Sequence, residues 1–459
     1  MTTSPHIPGQ YIRARPVVRR GAHEGTHVIN SSTKGYHLDM ERFGWRRSLG
    51  PRAVAVDLWI SWRVDGRPPV ACGLAMLVLV VVAFLPGGPV LADPPNVDLA
   101  CNQEPGNRFY WVERAFCDLE MSGPERAHGI IIWNHGISGT SPSWRAPAPP
   151  AFRLLQARGW DVIMLKRHHL AETMPGGPLA RSVERTLQEA AAQRTLGYRK
   201  VVLAGQSFGG YVTLEAIDTS PDIFAAIALA PGVRSTSADG RFDATIVEQI
   251  LQRARVGRLA LLFPKDDALF RNAARGERAQ PILGRREIPY LMVDETSEIT
   301  GHGGGATGRF ALRYGLCLAE FLAAPTLPPG RFNCPPGDDW SVVRELLMPT
   351  GKNAPSLLVD PATLSGELAS LIGPHWALLG DTLVLVAPVA APGGVRLFYR
   401  SAGSAGGVFD VKITATSLEA VLANKSVVTL SPGGDATITW TSSNGSVVLK
   451  APLRSGDSR

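Results

Sequence analysis

Lys200-Val-Val-Leu-Ala-Gly-Gln-Ser-Phe-Gly-Gly-Tyr-Val-Thr-Leu-Glu-Ala216 decides how this chain is read. A β-branched apolar run, 200–204, turns sharply through Gly205-Gln206-Ser207-Phe208-Gly209 and enters a helix-like segment, 210–216. A side chain at either flanking glycine would crowd such a turn, so the glycines let Ser207 stand clear of the backbone. Phe208 then falls at the start of a helix, where N–H groups lack intrahelical acceptors and the dipole favours negative charge. A hydroxyl and an anion-stabilising donor side by side suit acyl transfer.

A serine needs a base to activate it, and the base needs an acid to orient it. Downstream, the strand-like run 258–263 ends in Pro264-Lys265-Asp266-Asp267, and the short strand 290–293 leads into Gly301-His302-Gly303-Gly304-Gly305. An acid and then a histidine therefore follow the C-terminal ends of successive strands. Upstream, Gly129-Ile-Ile-Ile-Trp-Asn-His135-Gly136-Ile137-Ser138-Gly139 is a buried-strand pattern running into a His-Gly turn whose backbone can give a second oxyanion donor.

Strand-His-Gly-x-x-Gly, Gly-x-Ser-x-Gly, strand-Asp and Gly-His, in that order from about His128 to Phe321, resemble an α/β-hydrolase of the dienelactone-hydrolase-like or secreted serine esterase type, or the related acyl-cleaving peptidases. The resemblance implies a mostly parallel sheet flanked by helices. It also implies Ser207 as nucleophile, His302 as general base, and the Ile137 and Phe208 N–H groups as oxyanion hole. For the acid, the family register favours Asp267 (Asp267-Ala268-Leu269-Phe270), with Asp266 as the alternative, a solvated or turn-capping carboxylate otherwise. No cofactor is implied. His135 is expected to hold the oxyanion loop. Trp144, Arg145, His168, His169 and the stretch from Pro231 to Thr245 are candidates to line a substrate pocket. The adjacent pair His168-His169 lacks a Cys or acidic cluster at ligand spacing, so no metal site is expected.

The formal charge of +7 belongs to the front of the chain. Residues 1–92 hold eleven Lys and Arg against five Asp and Glu, leaving 36 basic and 35 acidic residues behind them, a net of +1. That excludes nucleic acid as a partner and leaves a small-molecule or acyl substrate. The apolar run from Val70 to Leu85, preceded by Arg63 and Arg67, broken by Pro86-Gly-Gly-Pro89 and followed by Val90-Leu91-Ala92, reads as a secretory signal peptide over 63–92. Residues 1–62 read as disordered or as an upstream mis-assigned start, with Met40 or a later codon as the real one. Export to the periplasm, cell envelope or medium follows. The four cysteines beyond it allow three disulfide pairings. The sequence-local one is expected: Cys101–Cys117, stapling an N-terminal hairpin of 107–112 with 115–119, and Cys317–Cys334.

Apolar spacing predicts helices over 152–158, 179–196, 244–254 and 310–322, alternating with strands. The catalytic unit spans 93–334. A linker, 335–364, leads to a small antiparallel β-barrel or sandwich over 365–454, with short strands at 382–386, 395–399, 408–414, 426–430 and 436–441. His375, Trp376, Tyr399 and Trp440 there are core aromatics and turn neighbours, or else a ligand surface. Two readings compete with ester hydrolysis: an envelope acyltransferase or peptidase on the same residues, and a non-catalytic protein that binds the cell surface through its β unit.

Overall fold

The computed structural model describes residues 99–455, apart from 139–141, 174–177, 233–244, 271–273, 351–356, 358–363, 393, 405 and 434–435, and apart from the side chains of 172–173. The signal-peptide reading and nearly all of the Pro231–Thr245 stretch lie outside the described residues. Among the described residues no helix is long and apolar enough to cross a membrane.

Two sheets organise the fold. The first has eight strands, β1 (Tyr110–Arg114), β2 (Gly129–Asn134), β3 (Trp160–Arg167), β4 (Val201–Gln206), β5 (Ala225–Leu229), β6 (Leu259–Leu262), β7 (Pro289–Val293) and β8 (Gly330–Phe332). Their spatial order is β1-β3-β2-β4-β5-β6-β7-β8, with β1 antiparallel to β3 and every other pair parallel. This is the strand order and direction of an α/β-hydrolase. β2 and β3 are buried at every position, as parallel strands covered on both faces must be. Ile131 and Trp133 pack with helices α1 (Pro150–Ala157) and α7 (Gly308–Ala323) on one face. Ile130 and Ile132 pack on the other with α3 (Pro178–Thr195), α4 (Phe208–Thr219), α5 (Thr245–Arg253) and α6 (Arg275–Arg285).

The chain leaves β2 to one side for β3 and returns to the other side for β4. Loops leaving β2 and β4 therefore diverge, and a crevice forms at their C-terminal ends. Asn134 pairs in register with Gly205, which places the His135-Gly136 loop beside Ser207.

The second sheet is antiparallel and nearly closed. Strands β9 (His375–Leu379), β10 (Thr382–Ala391), β11 (Gly394–Ser401), β12 (Gly407–Ile413), β13 (Leu418–Val421), β14 (Val427–Ser431), β15 (Thr437–Thr441), β16 (Val448–Pro452) and β17 (Arg454–Ser455) follow one another, and β17 returns to pair with β9. β10 alternates between two cores. Val384 and Val386 point into the barrel, while Leu383, Leu385, Ala387 and Val389 join the core beneath the first sheet. The described residues of both sheets accordingly fall in one compact unit. The stretch read as a linker contains α8 (Val343–Leu347), whose Val343, Leu346 and Leu347 are buried in that shared core with Val342 just before it. His375 and Trp376 are buried too, while Tyr399 and Trp440 pack against the barrel core.

Both cysteine pairs form as disulfides, with Cα atoms 5.8 Å apart in Cys101–Cys117 and 5.5 Å in Cys317–Cys334. The expected N-terminal hairpin does not form. β1 pairs instead with distant β3 (Tyr110 opposite Arg167), and 115–119 makes no strand, so Cys101–Cys117 closes a loop around β1.

Candidate active site

Each candidate side chain sits where a parallel strand ends. After β4, Ser207 adopts φ 55° and ψ −122°, a conformation costing a non-glycine residue about 1–3 kcal/mol. The surroundings enforce it. Ser207 N–H donates to Leu229 O (2.9 Å), and Ser207 O accepts from Tyr211 (3.0 Å) and Gly232 (3.2 Å). A Cβ on Gly205 would overlap the Gly209 carbonyl, and one on Gly209 would overlap the Asn134 carbonyl. The two glycines are thus required by the close approach of helix α4 to its own strand and to the β2 loop, one packing reason each.

The acid and the histidine are brought together by pairing that continues past the strands. Beyond β6 and β7, Lys265 and Thr300 form an isolated parallel bridge, with Lys265 N–H donating to Ile299 O (2.8 Å) and Gly301 N–H to Lys265 O (2.6 Å). Two residues further along each chain stand Asp267 and His302, and His302 Nδ1 lies 2.9 Å from Asp267 Oδ2. The other oxygen, Oδ1, accepts from Leu269 N–H (3.0 Å) and Phe270 N–H (3.2 Å). Burial opposes ionisation of Asp267. The hydrogen bond and charge of His302 and the two backbone donors outweigh it, and the carboxyl is held below its ordinary range. Asp266 is exposed, in left-handed backbone (φ 56°), and has no such contact.

With Nδ1–H on Asp267, His302 Nε2 is left as acceptor. The ring is set by Phe270, edge-on at 4.9 Å, and the backbone by Gln206 Nε2, which donates to His302 O (3.0 Å). Ser207 and His302 line one cavity of about 320 Å³, together with Gly136, Ile137, Ser143 and Arg145.

The loop after β2, expected to bind an oxyanion, rests on two residues. His135 is fully buried, Nδ1 lies 2.7 Å from Gly136 O, and Nε2 accepts the Arg167 N–H (2.9 Å). That pairing fixes the Nδ1–H tautomer, and burial next to Arg167 keeps the ring neutral by holding its pKa well below 6.5. The Arg167 guanidinium donates to His135 O (3.0 Å) and lies 4.7 Å above the Phe208 ring. It ties the loop after β2 to the residue after Ser207. Neither the Ile137 nor the Phe208 N–H has an acceptor among the described residues.

Trp144, His168 and His169, expected to line the pocket, are not among the residues lining this cavity. Trp144 is buried edge-on against Trp111, ring centroids 5.7 Å apart. The two histidines stack on each other at 4.0 Å, and His168 N–H donates to Phe109 O next to β1. Because β3 lies between β1 and β2, its loop opens one strand further from Ser207. Sequence reasoning missed Arg167, although it stands at the end of the strand-like run before that pair. It also missed Arg275 of α6, which donates to Pro231 O (2.5 Å) and lies over Phe263 and Phe270. Burial lowers the Arg275 pKa to about 10, opposed by the charges of Asp267 and Glu295. No group of three or more metal-ligating side chains occurs among the described residues.

No family model matches the chain, and no curated protein matches it. Several solved structures do. A protein assigned as a dienelactone hydrolase from Klebsiella pneumoniae is similar at 14% identity over 47% of this chain and 99% of that one, TM-score 0.34. The Pyrococcus furiosus esterase Pf2001 is similar at 13% over 49% and 96%, TM-score 0.34. A puromycin-hydrolyzing peptidase of Mycobacterium tuberculosis is similar at 17% over 49% of this chain and 39% of that one, TM-score 0.36. Nothing about chemistry is taken from likenesses this distant. The fold stands on the strand order above.

Proposed function

We propose that this chain is an exported serine hydrolase that cleaves an ester through an acyl-enzyme. The observation that carries the reading is the His302–Asp267 pair opening, with Ser207, on one cavity. In this reading His302 Nε2 takes the Ser207 proton as Oγ attacks the substrate carbonyl. Asp267 stabilises the imidazolium without itself becoming protonated. The tetrahedral oxyanion is bound by the Ile137 and Phe208 N–H groups, each such donor worth about 2.7–4 kcal/mol in the transition state. His302 then returns the proton to the leaving alcohol. Water enters, loses its proton to Nε2 and releases the acid.

A cavity of about 320 Å³ lies at the lower end of small-molecule sites, which favours a small acyl ester over a peptide. Export is supported by the two disulfides and by the signal-like segment at 63–92.

The test is turnover of p-nitrophenyl esters from acetate to decanoate by the purified protein beside Ser207→Ala. Short acyl chains are expected to turn over fastest, and the variant to lose about 10⁴-fold or more in kcat. Failure of a fluorophosphonate to label Ser207 would overturn the reading.

A further inference from the structure

A second hollow, of about 470 Å³, adjoins the turn Ser143–Arg145, whose Arg145 also lines the catalytic cavity. It is walled by β1, β3, α1, the loop closed by Cys101–Cys117 and the end of β11. Five charged side chains in this wall are buried or half-buried. Lys166 Nζ lies 3.2 Å from Glu113 Oε1 and donates to Trp144 O (2.6 Å) and Ala146 O (3.1 Å), which occupies all three of its protons. Arg153 donates to both oxygens of Asp118 (2.6 and 2.9 Å), and Arg400 adds a bond to Oδ2 (3.0 Å).

Two guanidiniums therefore share one carboxylate, and with Lys166–Glu113 self-compensating, the wall keeps one positive charge in excess. The Arg153 and Arg400 side chains are only 2% and 4% exposed, and the Nε of each has no hydrogen-bond partner among the described residues. Burying a charge without its counter-ion costs several kcal/mol. Both guanidiniums also donate to the neutral Met348 carbonyl (3.3 and 3.4 Å), and Arg145 and Glu104 at the rim pair with each other at 3.9 Å, so no second carboxylate among the described residues of the wall balances the excess. Burial first, and then the neighbouring Arg153 charge, push the Arg400 pKa down against the opposing Asp118 carboxylate. The wall also carries apolar surface, Met164 and Phe116, whose ring lies 5.9 Å from the Arg153 guanidinium.

We propose that this hollow binds a small organic monoanion, a carboxylate with a short apolar body. Its charged end sits against Arg400 and Arg153, and its body lies along Met164 and Phe116. The site goes beyond the hydrolytic reading and does not depend on it.

Titration calorimetry of the full chain with hexanoate and benzoate tests it, with hexanol as the neutral control. Both carboxylates are expected to bind and hexanol not to. Arg400→Met should weaken binding at least about tenfold by removing the charge. Ser404→Trp, an exposed rim position chosen so that the fold is kept, should do so by filling the mouth. Ile137→Trp, which crowds the catalytic cavity instead, should leave binding unchanged. The proposal is overturned by no heat with either carboxylate at millimolar concentration. It is equally overturned by binding that survives Ser404→Trp and is lost in Ile137→Trp, because the anion would then lie in the catalytic cavity. Neither outcome bears on ester turnover, which is measured separately.

Discussion

β2 and β10 are alike in burial and opposite in what they lead to. Each carries apolar side chains into a core on both faces. Yet β2 ends beside Ser207, while β10 ends in a turn back to β11. The difference lies in strand direction. In the first sheet the parallel strands β2, β4, β6 and β7 all end at one edge, so four loops bring His135, Ser207, Asp267 and His302 to one place. In the barrel, antiparallel neighbours send their ends to opposite edges, and the polar atoms there close hairpins. Burial alone therefore does not mark function in this chain, but the direction in which buried strands run does.

The largest effect that could break this contrast is at the glycines. Gly209→Val should yield no soluble folded protein, since its side chain has nowhere to go against Asn134 and His135. Gly380→Ala in the β9–β10 turn, where the added carbon meets nothing but φ is 58°, should cost only about 1 kcal/mol in urea unfolding. If the two cost the same, the strand-end distinction fails. Next comes Asp267→Asn, expected to lower kcat by about 10⁴ with unfolding unchanged, because the amide favours the wrong imidazole tautomer. Smaller is Leu385→Ala, which should cost about 2–5 kcal/mol of stability by opening the shared core, while Val448→Ser on the barrel's exposed face should stay within about 0.5 kcal/mol.

A further effect is a pH dependence divided between the two regions. His135 in the loop after β2 and His375 in the barrel are both kept neutral mainly by burial, with folded pKa values below 6.5. A depressed folded pKa means that the unfolded chain takes up the proton first. The stability each confers is therefore whole above 6.5 and is lost as pH falls toward the folded pKa. Each should add a slope of at most about 1.4 kcal/mol per pH unit over that window. Denaturation midpoints from pH 7 to 5 should show the combined slope, and His135→Gln and His375→Gln should each remove its own share.

What the sequence disclosed follows the same physics. The parallel strands are continuous apolar runs, and the turn at Ser207 needs glycines at fixed places, so both were readable locally. α6 was not. It carries Gly276, Pro281 and Gly284 within eleven residues, and it holds its place through Arg275 and through Ala279, Ile282 and Leu283 against the first sheet. β13, four residues long, and β8, three, are too short for any periodicity to register. The partner of β1 was misjudged because two neighbouring strand-like runs suggest a hairpin, whereas the true partner, β3, lies about fifty residues away. Arg167 and Gln206 support the site through contacts to the loops of other strands, which no local pattern encodes.

One contact reaches beyond catalysis. Helix α7 begins six residues after His302, and its first residue, Gly308, admits no Cβ because Leu383 N lies 2.5 Å from where one would be. Arg309 then grips the β9–β10 turn through Asp381 Oδ1 (2.6 Å) and the Asp381 carbonyl (3.1 Å). A barrel joined in this way is not an exchangeable module. A barrel spliced in at residue 365 would have to bring its own match for Gly308 and Arg309, so a change on one side of this joint calls for a matching change on the other.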